Sequence, residues 1–312
     1  MNDSLYIRPP TVDEALVKAA EHQGDYLYFG GGTDIQIYRK QELARQQTVI
    51  DLSDIDDLRA IQKGKDGLTI GSMVTLDEII TAAVIQDEFP LIAEAAKSVA
   101  TPVVRKSATI GGNLLVQNRC TFYNQSKAWR KAIGSCLKEV GDICQVTGGK
   151  DKCFARNVSD TAPALMVLEA TVVIHNRDAI VGIPLKDIYV ADGIQEHIHL
   201  DDDAILTEIK IAREPERWWF RKLRLRRSVD FTSLTVAATV DSDGTARVCL
   251  NGVSMAPVLV EQPLSSMTLE DLIRRARKEC KTVDNDMMPL KYRREMIDVY
   301  LTDWWHSIAD AR

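Results

Sequence analysis

The chain has 312 residues, 45% hydrophobic and 27% charged, with a formal net charge of -6. That length and apolar content can bury a large core over about two domains, and the acidic balance gives no broad basic field for nucleic acid. No apolar run approaches the roughly 20 residues a membrane helix needs, and the opening MNDSLYIRPP lacks the basic-then-apolar layout of a secretory signal. A cytoplasmic address without membrane insertion is therefore expected.

In chain order, Thr11 and Glu14 form a capping-box pattern, and Val12, Ala15, Leu16, Ala19 and Ala20 recur at helical spacing. A strand YLYF, Tyr26 to Phe29, runs into Gly30, Gly31, Gly32, Thr33 and Asp34, and a second helical pattern starts at Ile35. Strands follow at Val49 to Leu52 and Leu68 to Gly71; Thr75 with Glu78 caps a helix, and another helix covers Leu91 to Val99. After the turn ATIGGNLL comes a polar, loop-like segment, residues 119 to 157. Regular structure resumes at SDTAPALMVLEATVVIH, a capped short helix and a β-branched strand, and AILTEIKIA closes this half near Ala212. Beyond REPER come long alternating strands, Phe220 to Arg226, Ser233 to Val240 and Ala246 to Val253. Two helices end the chain, one opening at Thr268 and Asp271 and one spanning Leu290 to Trp305. The mixture implies an α+β protein, with residues 1–214 and 215–312 as separate domains.

The chemistry is concentrated in three places. GGGTDI after a strand and before a helix offers backbone N–H groups and a hydroxyl to a pyrophosphate. Thr109, Ile110, Gly111, Gly112 and Asn113 repeat that combination, so both turns are expected to supply backbone donors around one long dinucleotide. Neither is a GxGxxG, and no GKS or GKT follows, which disfavours a Rossmann site and a P-loop. The third place is residues 119 to 157, which hold four of the six cysteines, Cys120, Cys136, Cys144 and Cys153, separated by fifteen, seven and eight residues. In a reducing compartment these are not expected to pair as disulfides, and a metal or cluster is the leading reading. Thiolate ligation suits zinc as well as iron-sulfur, although wide spacing without a CxxC pair is less typical of a zinc finger. Cys249 and Cys280 read as packing residues.

GGTD, TIGGN, SDTAPALMVLEA and the four-residue steps Lys222, Arg226, Asp230 together resemble the FAD-binding subunit of the molybdenum hydroxylases, which include the xanthine and carbon monoxide dehydrogenase medium subunits. The resemblance spans nearly the whole chain. It implies an FAD-binding fold of the vanillyl-alcohol-oxidase (PCMH) type followed by a small C-terminal α+β flavoprotein domain. Carried over residue by residue, it places Leu27, Tyr28, Phe29, Gly30, Gly31, Gly32, Thr33 and Asp34 at the FAD pyrophosphate. It sets Thr109, Ile110, Gly111, Gly112 and Asn113 on the opposite side and Val99 as an apolar contact. Asp160 would accept from a cofactor hydroxyl or serve as a helix N-cap, and Lys222 would approach the flavin ring; without the resemblance Lys222 reads as a solvated strand lysine. No histidine lies in either turn, so a covalent histidine-flavin link is not expected.

Against that family, residues 118–157 are an insertion, and its cysteine spacing resembles the β subunits of the 4-hydroxybenzoyl-CoA reductases, whose insertion binds a [4Fe-4S] cluster. The resemblance implies electron transfer inside a complex with a molybdopterin-binding large subunit, a [2Fe-2S] small subunit and a ferredoxin-like donor or acceptor. The insertion is expected to be separate from both turns, so that loss of a cysteine ligand leaves FAD bound. Its lysines and arginines, Arg130 and Lys138 among them, either offset the charge of a cluster or form a solvated face. The rival is a stand-alone flavin oxidoreductase with a zinc clip; it would need an acid or base near the flavin, and His22, His175, His197, His199 and His306 form no obvious constellation with the turns.

Overall fold

The computed structural model describes residues 5–197, 200 and 203–309, and it shows the α+β class expected from the sequence. Strands β1 (Leu5–Ile7), β2 (Tyr26–Phe29) and β3 (Thr48–Asp51) form a parallel sheet in the order β1-β3-β2. Helices α1 (Val12–Glu21) and α2 (Ile35–Lys40) make its two crossovers, which parallel pairing requires. The Thr11 side chain caps α1 by accepting from the Glu14 amide at 3.2 Å.

A second sheet has the order β4-β5-β8-β6-β7, all neighbours antiparallel: β4 (Ile61–Gly64), β5 (Gly67–Gly71), β6 (Thr171–His175), β7 (Ile180–Pro184) and β8 (Ile205–Ile211). Between β5 and β6 the chain winds through α3 (Leu76–Thr81), α4 (Ala83–Glu88), α5 (Pro90–Ser98), α6 (Pro102–Arg105), α7 (Ile110–Leu114), α8 (Lys127–Ile133) and α9 (Thr161–Val167). The capping box at Thr75 and Glu78 forms in both directions. The TIGGN turn is itself one turn of helix, α7, capped by Thr109.

The last part is an antiparallel sheet of four strands, β9 (Arg217–Leu223), β10 (Leu234–Val240), β11 (Thr245–Asn251) and β12 (Val258–Pro263), followed by α10 (Leu269–Glu279) and α11 (Leu290–Ala309). Alternation on these strands serves two covers. Leu234, Val236 and Ala238 pack with Leu272, Ile297 and Trp304 of the helices, while Phe220, Ala237 and Cys249 join the core built around α9. Every residue of α9 and β10 is therefore buried. Strand β9 starts three residues earlier than the alternation suggests, its first residue Arg217 paired with Val240, and it ends at Leu223, after which the Arg224 side chain donates to the Ser98 carbonyl at 2.9 Å. Strand β12, ending in Pro263 at the sheet edge, was not apparent from the sequence pattern.

Candidate functional site

The two glycine turns lie against each other. A Cβ on Gly31 would stand 1.6 Å from the Ser107 carbonyl oxygen, and one on Gly30 3.2 Å from Thr109 Oγ1. Gly32 has φ +69, the left-handed region open to glycine at little cost. The turns differ in their hydrogen bonds. The amides of Ile110, Gly111, Gly112 and Asn113 donate to Val74 O (2.9 Å), Ser72 O (2.9 Å), Thr109 Oγ1 (3.1 Å) and Thr109 O (2.9 Å). The amides of residues 30 to 34 have no acceptor among the described residues. Only the first turn therefore offers free backbone donors, contrary to the expectation that both do. Helix α2 has six residues, so its dipole adds little.

Between the turns opens a cavity of about 490 Å³, within the range of small-molecule sites. Of the expected residues it is lined by Tyr28, Phe29, Gly30, Gly31, Gly32, Thr33, Asp34, Val99, Thr109, Gly111, Gly112, Asn113 and Asp160. Leu27 and Ile110 do not line it: Leu27 stays in the sheet opposite Val49, and Ile110 is fully buried in the core. An added Cβ on Gly112 would meet only Thr109 Oγ1, at 3.0 Å. Asn113 Oδ1 accepts from Ser159 Oγ (3.0 Å), Thr161 N (3.2 Å) and Thr161 Oγ1 (2.7 Å), which fixes the amide and leaves Nδ2 without a partner among the described residues. No histidine or cysteine lines the cavity, and His199 lies outside the described residues.

Lys222 is neither a solvated strand lysine nor part of the cavity wall. Its side chain is 4% exposed, and the ammonium donates to Asp160 Oδ2 at 2.6 Å and Ser98 O at 3.0 Å, and so stands behind Asp160. Burial pushes the Asp160 carboxyl up and the Lys222 ammonium down, and their contact opposes both shifts. Asp160 does not cap α9 with its side chain; Ser159 Oγ accepts from Ala162 N instead, at 3.0 Å. Across the cavity, Val229 (φ 74) donates its amide to the carbonyl of Ala100 (φ 42) at 3.1 Å. Positive φ at a β-branched residue is strain of the kind that gathers at functional sites. Asp230 and Phe231 beside it also line the cavity; for Asp230 the only sequence signal was its spacing from Lys222.

The four cysteines converge. Cys120, Cys136, Cys144 and Cys153 line one small cavity with Phe122, Tyr123 and Lys138 on its wall. Burial raises the Cys120 thiol and pushes Cys153 up to about 11; burial acts in the same sense on Cys144, but donors from Thr147 and the backbone outweigh it and lower that thiol. Cys249 and Cys280 are buried in the core, as expected of packing residues. Gly193, which sequence alone did not single out, admits no side chain because its Cβ would stand 2.6 Å from Cys153 Sγ.

Two of the segment's cations are not on a solvated face. Lys138 pairs with Glu196 and donates to Gly193 O. Arg130 is 2% exposed and binds Glu139, Gln125 O and, at 3.1 Å, Gln41 O at the end of α2. Nor is the insertion separate from the glycine turns. Arg119, immediately before Cys120, pairs with Asp34 of the first turn. The insertion's neck closes where the Arg119 and Arg156 backbones bond each other at 2.8 and 2.9 Å, and Asn285 holds both sides of it through Thr121 N and Phe154 O.

A family model described as the FAD binding domain in molybdopterin dehydrogenase matches residues 2–213, and the chain belongs to that family. The chain is similar to the aldehyde oxidoreductase FAD-binding subunit PaoB of Escherichia coli K12, at 29% identity over 84% of this chain and 85% of that one. It is also similar to the carbon monoxide dehydrogenase medium chain of Afipia carboxidovorans, at 23% identity over 95% and 93%. A carbon monoxide dehydrogenase structure from Hydrogenophaga pseudoflava shares the fold with a TM-score of 0.76 at 19% identity, covering 95% of this chain and 94% of that one.

Proposed function

We propose that this chain is the electron-transfer subunit of a molybdenum-hydroxylase-type complex, holding FAD in the 490 Å³ cavity and a [4Fe-4S] cluster on Cys120, Cys136, Cys144 and Cys153. In this reading residues 1–214 carry the FAD and the insertion 118–157, and residues 215–312 form the C-terminal domain. Its partners are a molybdopterin-binding large subunit, a [2Fe-2S] small subunit and a ferredoxin-like carrier in the cytoplasm. Among the described residues no helix is long and apolar enough to cross a membrane. The complex is of the 4-hydroxybenzoyl-CoA reductase type, removing a phenolic hydroxyl at the molybdenum subunit.

Bound FAD would exchange electrons between one-electron carriers and a two-electron site. The chain's residues do the holding. The free amides of residues 30 to 34 receive the pyrophosphate, Thr109 and Asn113 Nδ2 face it from the second turn, and Gly112 leaves the room it needs. Asp160, hydrogen-bonded to Lys222, accepts from a cofactor hydroxyl. With no histidine or cysteine on the wall among the described residues, the flavin is held non-covalently in this reading; acid precipitation releases it, and yellow colour retained in the pellet would refute this.

The observation that carries the cluster assignment is the convergence of four cysteines from an otherwise polar segment on one cavity, one residue along the chain from an ion pair to the flavin turn. A zinc clip is the rival occupant of the same four thiols. Among the described residues no three His, Cys, Asp or Glu side chains are grouped to hold a metal ion, which bears on zinc and on a cluster alike. Four thiolates are the usual ligand set of a [4Fe-4S] cluster. Anaerobic iron and acid-labile sulfide analysis, with EPR after dithionite, is the test: about four irons and a reducible signal are expected, and zinc in their place overturns the assignment. Relatives named as dehydrogenases and an aldehyde oxidoreductase favour a second reading in which electrons leave through the cluster. Flavin reduction by reduced ferredoxin, without organic substrate, separates the inward direction from the outward one.

A further inference from the structure

One side chain joins the cysteine segment to the flavin cavity. Arg119 is 8% exposed, its guanidinium lies 4.7 Å from the Tyr38 ring centroid and 4.4 Å from that of Phe231, and it pairs with Asp34. Asp34, Tyr38 and Phe231 all line the flavin cavity. On its other side Arg119 is fixed by the neck of the insertion, through the paired backbone bonds to Arg156 and the attachment of Cys120. A buried guanidinium with one carboxylate partner cannot leave that partner without a large desolvation cost, so any shift of the neck is passed to Asp34 and the turn of free amides.

We propose that Arg119 is a positioning residue that makes flavin affinity depend on the state of the cysteine segment. An ordered segment holds Arg119, Arg119 holds Asp34, and Asp34 holds residues 30 to 34 in their binding geometry. By reciprocity, bound flavin steadies the segment by the same factor. The coupling rests on the FAD part of the reading above and not on the identity of the metal.

The test is therefore run on the purified, metal-free full chain. The alkylation rates of Cys120, Cys136, Cys144 and Cys153 are followed by peptide mass with and without saturating FAD, beside an FAD titration. Three of these thiols are buried, so labelling reports opening of the segment. FAD is expected to slow labelling about tenfold, a coupling of ordinary size, and Arg119→Met to remove most of that protection. Asp34→Asn breaks the same pair from the other side with little change of size and carries the same expectation should Arg119→Met fail to fold. Labelling unchanged by FAD in a chain that binds it, or protection that survives in both variants, overturns the coupling. A chain that binds no FAD even when purified anaerobically with its metal in place refutes the flavin reading itself, while the iron and sulfide assay bears on the cluster alone.

Discussion

Residues 30–34 and 109–113 share a composition of glycines, a hydroxyl and a polar side chain, and hydrogen-bond accounting separates them. The second turn spends its amides on Ser72, Val74 and Thr109 and becomes a rigid wall. The first keeps its amides free and takes its position from outside, from the Ser107 backbone behind it and Arg119 beside it. Composition alone could not show this, because whether an N–H is available depends on which carbonyl the fold brings to it. One turn is therefore the frame and the other the donor set.

The largest effect that would break this division is at the contact between the turns. Gly31→Ala places a Cβ 1.6 Å from a backbone oxygen that has no rotamer to escape into, and it is expected to cost ~3 kcal/mol or more, at the upper end of overpacking penalties. Urea unfolding measures it, and a cost below ~1 kcal/mol would mean that the turns are not packed as described. Next comes acid sensitivity behind the second turn. The His197 ring lies 5.4 Å from that of Tyr189 at a tilt of 51°, and the Tyr189 hydroxyl donates to Leu114 O at the end of α7 at 3.1 Å. Burial pushes the imidazole from 6.5 down to about 4, and a Leu114 backbone bond opposes that only in part. The unfolded chain binds this proton at higher pH than the folded one, so stability is complete above 6.5 and is lost as pH falls towards about 4. At most about 3 kcal/mol is at stake, and His197→Gln should flatten that part of the pH profile. An equal slope in the variant would assign the acid loss to other groups.

Much of this was legible in local sequence. YLYF, the Thr75 capping box, the helix opened by Thr268 and both glycine turns form where propensity and capping chemistry put them. The convergence of the cysteines was expected from their clustering in one polar segment, and the family resemblance only narrowed a metal or cluster to iron-sulfur. What the sequence concealed are long-range partners. Lys222 reads as an exposed strand residue because nothing nearby marks Asp160, 62 positions earlier, as its counter-ion. Arg119 has no counter-ion in its own stretch of sequence; it pairs with Asp34, 85 positions away. Gly193 carried no signal, since its reason is the sulfur of Cys153.

A smaller effect sharpens the comparison within the second turn. Gly111 and Gly112 are adjacent, but a Cβ on Gly111 would stand 2.8 Å from Ser72, while Gly112 faces the cavity with only Thr109 Oγ1 near. Gly112→Val should therefore leave unfolding within ~1 kcal/mol of the wild type and weaken FAD by roughly 30-fold or more, about 2 kcal/mol. Full flavin occupancy in the folded variant would show that this turn does not face the cofactor.

The smallest expected effect tests whether the second turn contributes any donor at all. Asn113 Oδ1 is held by three donors, so Asn113→Asp can keep all three on one carboxylate oxygen and preserve the frame. The other oxygen then replaces Nδ2 at the cavity wall and presents an acceptor and a negative charge where a donor stood. If Nδ2 faces the pyrophosphate, flavin binding weakens about tenfold, or 1.4 kcal/mol, and raising the salt concentration recovers part of the loss by screening the repulsion. Asn113→Ala is the control that inverts the pattern: it strands the hydroxyls of Ser159 and Thr161 and the Thr161 amide, so it should cost ~1–3 kcal/mol of stability while removing the repulsion. Unchanged FAD affinity in Asn113→Asp, read by flavin fluorescence titration, would leave the amides of residues 30 to 34 as the donor set on their own and make the second turn a wall and nothing more.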